Sequence, residues 1–483
     1  MPGFISERLV WGGVLGTLVL ILLWSRLAGL DLAFWHDEVF TVTRYVDAGP
    51  RGIFFGDYVP NNHVLFSLLT WATTSLVGSS EVAFRAWSVV PALVATGWLT
   101  WWLCRWRGPV TGTVALLLMT LSPVLLQVSR EARGYGLVLL AMVGVINQAH
   151  SAIENPRGTA IWRFVAFGVL GVLTLPVFVL PFAFCALPLL SEPRLRRRLL
   201  VGLSLSAVIA LVWYTPMLAD IVEHSGQRFG RPVTWHAAVT LSMGQLVFPL
   251  ARLLMPGTPD ILLTNPPDPV GALFVWHAVA WSAIGVGGRD LWRSKEKTFL
   301  FVLVAPVVGT FASLALIGAW AADRHISYLS VPLFVLMALG AGGLVRMTQG
   351  KVKSVLLVSI AGVAIWSVVS FYPVADNLIR VPHEAFQDVA KAVNERAPQA
   401  VVSNSVRPEG LRYYLAVPLE TMSADSLEEL FCGPTTGYVF IDHPFKAPVV
   451  DTQCLEGKGA ERARFEQRGR GERIDAWFVD RND

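Results

Sequence analysis

The sequence has 483 residues, of which 54% are hydrophobic and 15% are charged, and its formal net charge is +4. Apolar segments of this extent exceed what one aqueous core could cover, so the composition excludes an ordinary soluble domain and indicates a polytopic membrane protein. The basic residues lie in short clusters between apolar runs, which is typical of an orientation signal. We therefore do not expect nucleic acid as a partner.

Apolar windows of membrane-spanning length recur along the first part of the chain. The clear windows lie at 9–29, 81–103, 109–128, 134–151, 199–218, 269–288, 298–320, 326–345 and 354–373. The run 163–191 is interrupted by Pro176, Pro181 and Pro188 and has basic residues at both ends, which favours two short helices. The pattern predicts about eleven transmembrane helices within residues 1–374.

The basic loops predict the orientation of these helices. An apolar stretch follows Arg8 without a small-residue cleavage site, so we expect an uncleaved first helix and a cytoplasmic N-terminus. One orientation then places all the basic loops in the cytoplasm, at Arg105 and Arg107, Arg157 and Arg163, Arg194 to Arg198, Arg289 to Lys297, and Arg346 to Lys353. The outer face of the cell (plasma) membrane receives the segment 31–80, the loop 219–268 and two short turns.

Residues 375–483 differ in composition from the membrane part. Charge rises, apolar runs shorten, and helix-like stretches at 383–396 and 424–431 alternate with strand-like ones at 438–441 and 476–479. This pattern predicts a small extracytoplasmic α/β domain.

Two cysteines, Cys432 and Cys454, fall in this predicted domain. An oxidising compartment favours a disulfide bond between them, with two free buried thiols as the alternative.

Asp37 and Glu38 directly follow the first apolar window. Carboxylates at the mouth of a membrane helix are costly to place, and partial desolvation suits one of them for general-base catalysis. The alternative is a solvated loop at a helix end. Trp35 could pack on a sugar ring, whereas the triplet Asn61-Asn62-His63 could be a functional group or a simple turn and helix cap.

Arginines occur at two turns on the expected outer face. Arg130 and Arg133 flank Glu131 in one turn, and Arg324 and His325 lie in the other. Guanidinium groups offer fixed multidentate donors to a phosphate, and outward basic sites run against the usual charge bias, which indicates an anionic ligand. An Arg–Glu pair with headgroup contacts, or interfacial snorkelling, is the structural alternative.

The membrane part resembles the integral-membrane C-type (GT-C) glycosyltransferases, in particular the protein O-mannosyltransferase, aminoarabinose-transferase and RgtA/B/C/D-like group. The residues that carry the resemblance are Trp35-His36-Asp37-Glu38, Asn61-Asn62-His63, Glu81-Val82-Ala83-Phe84-Arg85, Arg130-Glu131-Ala132-Arg133-Gly134-Tyr135, and Arg324-His325-Ile326-Ser327-Tyr328-Leu329 with Pro332. The order and common sidedness of these motifs make the set more specific than any one of them.

The resemblance implies a role for each matching residue. Asp37 is expected to be the general base, with Glu38 as a supporting carboxylate or ligand. The expected contacts of the donor phosphate are Arg130, Arg133, Arg324 and His325, and the expected substrate-binding residues are Trp35, His63, Glu131 and Tyr135. No cofactor is expected to be obligatory, and a divalent cation is left open.

The implied function is inverting transfer of a hexose or pentose from a polyprenyl-phosphate donor, as in arabinosyl- and mannosyltransferases. An envelope glycolipid or a polysaccharide is the expected acceptor, and a protein acceptor, as in the O-mannosyltransferases, is the alternative. A lipid or solute transporter is a further alternative, but it would place ionisable residues at mid-membrane on broken helices, whereas the charges here cluster at helix ends.

Overall fold

The computed structural model describes most of the membrane part and the core of the C-terminal part. The described residues are 2–59, 61–229, 270–316, 323–350, 386–396, 398–404, 409–435, 437–442, 453–466 and 473–479, with single positions between 352 and 375. Most of the window 354–373 and most of the loop 219–268 therefore lie outside the described residues. The boundary at 374/375 stays a prediction.

The described membrane part is entirely helical. Its first helices are α1 (Pro2–Leu27), α2 (His36–Thr41), α3 (Gly49–Phe55), α4 (Val64–Val77), α5 (Glu81–Arg107), α6 (Pro109–Leu121), α7 (Pro123–Arg130) and α8 (Tyr135–Glu154). The later ones are α9 (Ala160–Thr174), α10 (Val179–Leu190), α11 (Pro193–Tyr214), α12 (Leu218–Phe229), α13 (Val270–Arg293), α14 (Lys297–Leu316) and α15 (Ser330–Met347). Shorter π- and 3₁₀-helical segments are Val42–Val46, Pro176–Phe178, Thr215–Met217 and Asp323–Leu329.

Five of the described helices are long and apolar enough to cross a membrane, or six if the bent pair α6 and α7 counts as one span. Shorter apolar helices accompany them, among them the pair into which the run 163–191 divides at Leu175. A polytopic helical architecture is therefore present, and the total of about eleven spans stays a prediction.

The window 109–128 is not one straight span but is bent by 64° between α6 and α7. Pro123 has no backbone N–H to continue α6, and the Ser122 hydroxyl caps the new helix by accepting from the Leu125 amide at 3.4 Å. The buried guanidinium of Arg26 donates to the Met119 carbonyl freed at the break, at 3.0 Å. The bend directs α7 toward the turn 131–134.

The long helices separate two groups of polar residues. At one end Arg107 pairs with Glu296 at 2.6 Å, and Arg346 pairs with Asp290 at 3.0 Å. Glu81, at the opposite end of α5, is a full helix length away, roughly 40 Å for a helix of this size. Three of the basic loops predicted to share one side therefore lie together. The candidate residues lie at the other end of the same helices.

The C-terminal part contains a five-stranded mixed sheet. Its helices are α16 (Phe386–Arg396), α17 (Glu409–Tyr414), α18 (Ala424–Cys432) and α19 (Gln453–Gly457), and its strands are β1 (Ala400–Ser403), β2 (Leu419–Thr421), β3 (Tyr438–Asp442), β4 (Glu461–Glu466) and β5 (Arg473–Val479). The strand order is β2-β1-β3-β5-β4. Strand β1 pairs in parallel with β2 and with β3, whereas β5 pairs antiparallel with β3 and with β4.

Both faces of this sheet are covered by helices. Along β3, Val439 and Ile441 pack on the face covered by α16, whereas Tyr438 and Phe440 pack on the face covered by α18 and α19. A disulfide bond between Cys432 and Cys454 joins α18 to α19 on that second face. Because both faces are covered, β3 is, from Tyr438 to Ile441, a continuous apolar run in which successive residues pack on opposite faces.

Candidate active site

Glu38 lies in the first turn of α2 with its side chain only 1% exposed. Arg85 of α5 binds it with two parallel hydrogen bonds, Nε to Oε1 at 2.9 Å and Nη2 to Oε2 at 2.8 Å. The Ala132 amide donates to Oε1 at 2.6 Å, and the Trp35 amide donates to Oε2 at 3.1 Å. Glu38 therefore joins the first loop, α5 and the turn 131–134 in one buried, fully hydrogen-bonded pair.

Asp37, the neighbouring residue, is placed differently. Its side chain is 19% exposed, and its Oδ2 atom accepts from Arg324 Nη1 at 2.9 Å and from Arg133 Nη1 at 3.2 Å. Asn61 donates to the Asp37 carbonyl at 3.1 Å and accepts from the second Nη of Arg133. Two guanidinium groups thus share one carboxylate, which leaves a local excess of positive charge suited to an anion.

The turn 131–134 positions Arg133 because its backbone is held from three sides. The Ala132 amide donates to Glu38, and the Arg133 amide donates to the Ser88 hydroxyl of α5 at 3.2 Å. The Gly134 amide donates to His63 Nδ1 at 2.9 Å. A Cβ atom on Gly134 would overlap the side chains around it, so this close approach requires glycine. Arg133, with a side chain 1% exposed, is therefore held rigidly.

His63 lies buried beside this turn. Because its Nδ1 atom accepts from Gly134, the ring proton is on Nε2, and Nε2 has no hydrogen-bond partner among the described residues. Burial, followed by the charges of Arg133, His325 and Arg324, lowers the pKa of His63 well below its ordinary value. His63 is thus a neutral donor.

Further buried polar atoms lack partners around Tyr135. They are Glu131 Oε2 and the hydroxyls of Tyr135 and Tyr328, counted over the described part of the chain. The Tyr135 ring contacts His63 edge to face at 4.8 Å between centroids, and Arg133 Cζ lies 5.1 Å from the Tyr135 ring. These polar side chains lie together next to Asp37, and we call this cluster the polar pocket.

Glu131 is the second acidic group of this pocket. Its Oε1 atom accepts from Gln127 at 2.9 Å. Burial is the main cause that raises the pKa of Glu131 from 4.5 to about 7. Its carboxyl group can therefore carry a proton near neutral pH.

Trp35 and His325 complete the walls of the pocket. Arg324 Cζ lies 5.2 Å from the Trp35 ring centroid, a cation–π distance. The His325 and Tyr135 ring centroids are 6.4 Å apart.

No protein-family model matches the sequence, and no curated protein matches it. Two crystal structures of ArnT from Cupriavidus metallidurans are similar to this structure, one in the apo state and one bound to undecaprenyl phosphate. Each has a TM-score of 0.58 over 98% of both chains, with sequence identities of 12% and 13% respectively. The chain has an ArnT-like GT-C fold. Arabinofuranosyltransferase AftD from Mycobacteria gives a TM-score of only 0.40, at 13% identity, over 99% of this chain and 42% of AftD.

Most of the residues predicted for the site meet in this GT-C fold. Those brought together are Trp35, Asp37, His63, Glu131, Arg133, Tyr135, Arg324 and His325. Arg130 is not among them: its guanidinium donates to the Ser25 carbonyl at 2.8 Å and to the Gly29 carbonyl at 3.3 Å, at the end of α1. Glu38 adjoins the pocket but is bound by Arg85.

Three site residues were assigned no role from the sequence, although each stands in a motif that carries the resemblance. Arg85 holds Glu38, Asn61 links Asp37 to Arg133, and Tyr328 adds a buried hydroxyl. The motifs themselves were the signal that could have identified these residues.

The two adjacent carboxylates should differ in their effect on stability. We expect Glu38→Gln to lower the free energy of unfolding by about 3–5 kcal/mol, because it leaves the buried Arg85 charge without its counter-ion. Asp37→Asn should change it by less than about 1 kcal/mol, because this carboxylate is partly exposed. Thermal unfolding of both variants in detergent measures the difference, and equal losses would contradict these roles.

The raised pKa of Glu131 predicts a pH dependence. The folded state binds this proton more tightly than the unfolded chain, so the resulting stabilisation is complete below about 4.5 and is lost as pH rises through about 7. We expect the difference in Tm between pH 5 and pH 8 to be smaller in Glu131→Gln than in the unmodified protein. Parallel Tm profiles for the two proteins would contradict the raised pKa.

Proposed function

We propose that this protein is a glycosyltransferase that moves a sugar from a polyprenyl-phosphate donor to an envelope glycolipid or polysaccharide on the extracytoplasmic face of the plasma membrane. The observation that carries the proposal is the single oxygen of Asp37 shared by Arg133 and Arg324. A base and an anion site lie within one polar pocket of a GT-C fold. The ArnT neighbour that holds undecaprenyl phosphate supports a polyprenyl phosphate as the donor.

The donor phosphate binds Arg133 and Arg324, with His325 beside them. Both guanidinium groups contact the same carboxylate oxygen, so an incoming phosphate competes with Asp37 for their N–H donors. This competition frees an Asp37 oxygen for the acceptor. Arg130 takes no part, because its donors are used by carbonyls near the end of α1.

The transfer is a direct displacement with inversion. Asp37 takes the proton of an acceptor hydroxyl, whose oxygen forms a bond to the anomeric carbon. The bond from that carbon to the phosphate oxygen breaks, and polyprenyl phosphate leaves with the electron pair. Arg133, Arg324 and His325 stabilise the negative charge that grows on the leaving phosphate. Glu38 acts as a supporting carboxylate that orients the turn of α2 carrying Asp37.

The sugar occupies the pocket around Tyr135. His63 offers an Nε2–H donor, Tyr135 a hydroxyl and Glu131 a carboxyl oxygen, and these atoms have no partner within the described part of the chain. Hydroxyl groups of a sugar are suitable partners for all three. Trp35 forms the wall on which the ring packs.

No cofactor is obligatory in this proposal. No group of three or more His, Cys, Asp or Glu side chains that could hold a metal occurs within the described ranges. Two guanidinium groups also flank the Asp37 carboxylate, and their positive charge disfavours a divalent cation there. We assign no step of the transfer to a divalent cation.

The first test is the variant Asp37→Asn in a transfer assay. Purified protein is incubated with undecaprenyl-phosphate-linked pentoses and hexoses and with envelope glycolipid, and release of undecaprenyl phosphate is measured. We expect the variant to lose at least about 100-fold in rate, since it lacks the base, while its Tm stays close to that of the unmodified protein. Full activity in the variant would remove Asp37 from this role, and donor transport across vesicles without release of undecaprenyl phosphate would favour a transporter.

The second test separates the two arginine turns. Arg324→Ala should weaken donor binding about tenfold or more, since a charged contact to phosphate is lost, and it should leave acceptor affinity nearly unchanged. Arg130→Ala is the matched control, in which we expect lower stability but little change in donor affinity. Titration of each variant with undecaprenyl phosphate measures the affinity of the donor phosphate site, and titration with the glycolipid measures acceptor affinity. Equal losses of phosphate affinity in the two variants would contradict the assignment.

A further inference from the structure

Tyr414, the last residue of α17, packs in two clusters at once. Its ring lies against the core of the C-terminal part, which includes Phe386 and Leu411. It also lies against the apolar cluster of the first loop, which includes Phe34 and Phe84. A side chain shared by two cores transmits displacements between them, because close-packed interiors have low compressibility.

The Tyr414 hydroxyl connects two segments of the membrane part. It accepts a hydrogen bond from the Phe34 amide at 2.8 Å and donates to Glu81 Oε1 at 3.5 Å. Burial raises the pKa of Tyr414, so the hydroxyl keeps the proton that it donates. Phe34 stands three residues before Asp37, and Glu81 opens α5, the helix that carries Arg85.

The C-terminal part holds Tyr414 firmly from the other side. Asn394 of α16 donates from Nδ2 to the Tyr414 carbonyl at 3.0 Å, and its Oδ1 atom accepts from the Ala416 amide at 2.8 Å. The end of α17 is therefore tied to the helix that covers the sheet. The hydroxyl of Tyr414 reaches the first loop from a fixed support.

The first loop passes this constraint on to the two carboxylates. The guanidinium of Arg85 stacks on Phe34, with Cζ 5.1 Å from the ring centroid, and the same guanidinium binds Glu38. Phe34 also meets Phe84 edge to face at 5.5 Å. Moving Phe34 thus moves the pair that orients the first turn of α2, where Asp37 lies.

We propose that Tyr414 is a positioning residue through which the C-terminal domain holds the Asp37 loop in its reactive geometry. The hydroxyl joins the Phe34 backbone to Glu81, so the loop and α5 keep their separation while the sugar is transferred. This role rests on the proposed function, because it concerns the same carboxylate. It assigns the C-terminal domain a part in catalysis.

The test compares Tyr414→Phe with Tyr413→Phe. The first variant keeps the ring in both clusters and removes only the bridging hydroxyl. Tyr413 is the matched control, because its ring contacts Phe34 at 5.7 Å between centroids, whereas the Phe34 amide donates its hydrogen bond to Tyr414. We expect kcat to fall about tenfold in Tyr414→Phe, since small displacements of a catalytic group are costly in rate. The KM for the donor should change less than about twofold, because the arginine contacts remain.

Hydrogen–deuterium exchange provides a measurement that needs no donor. We expect the peptide covering residues 31–41 to exchange faster in Tyr414→Phe than in Tyr413→Phe or in the unmodified protein. Unchanged exchange would overturn the positioning role, and so would an equal loss of kcat in the two variants. If the unmodified protein transfers no sugar, the proposed function fails, and the exchange result alone then decides whether Tyr414 holds the loop.

Discussion

The buried ion pair between Glu38 and Arg85 is the constraint on which the rest of the site depends. Removing two charges from water is costly, and the cost is offset only when every donor and acceptor finds a partner. Here the carboxylate receives two guanidinium N–H groups and two backbone amides. The remaining guanidinium donors bind carbonyls of the first loop, at Leu30, Leu32 and Ala33.

Because Glu38 and Arg85 satisfy each other, the neighbouring Asp37 carboxylate pairs with different arginines. Glu38 points into the helix packing, while Asp37, one residue earlier, points toward the partly open pocket. One residue of a helix turns through about 100°, so adjacent side chains face different surroundings. In the proposed function, Glu38 therefore orients the loop, and Asp37 contacts the ligand.

The sequence predicted the parts of the site that local chemistry specifies. Tyr438 to Ile441 lie in a strand, as predicted, and an acid and an arginine predicted to lie on the same face do meet, as at Asp37 and Arg324. Side-chain direction within the turn could not be predicted. Arg130 and Arg133 are three residues apart, yet α7 ends between them, so one guanidinium reaches α1 and the other reaches Asp37. The hydrogen bond between Phe34 and Tyr414 joins residues 380 positions apart in the sequence, and no local pattern predicts a contact at that separation.

The polar pocket contains buried polar atoms without partners among the described residues, whereas Glu38 and Arg85, which support it, contain none. A buried donor or acceptor that finds no partner costs about 1–3 kcal/mol, and such atoms are rare in folded proteins. Near Asp37, however, His63, Glu131, Tyr135 and Tyr328 each keep one such atom, counted over the described residues. The hydrogen bonds of Glu38 and Arg85 already hold the site together, so these unpartnered atoms add nothing to the stability of the fold. A ligand rich in hydroxyl groups, such as the proposed sugar, would offset this cost by supplying the missing partners.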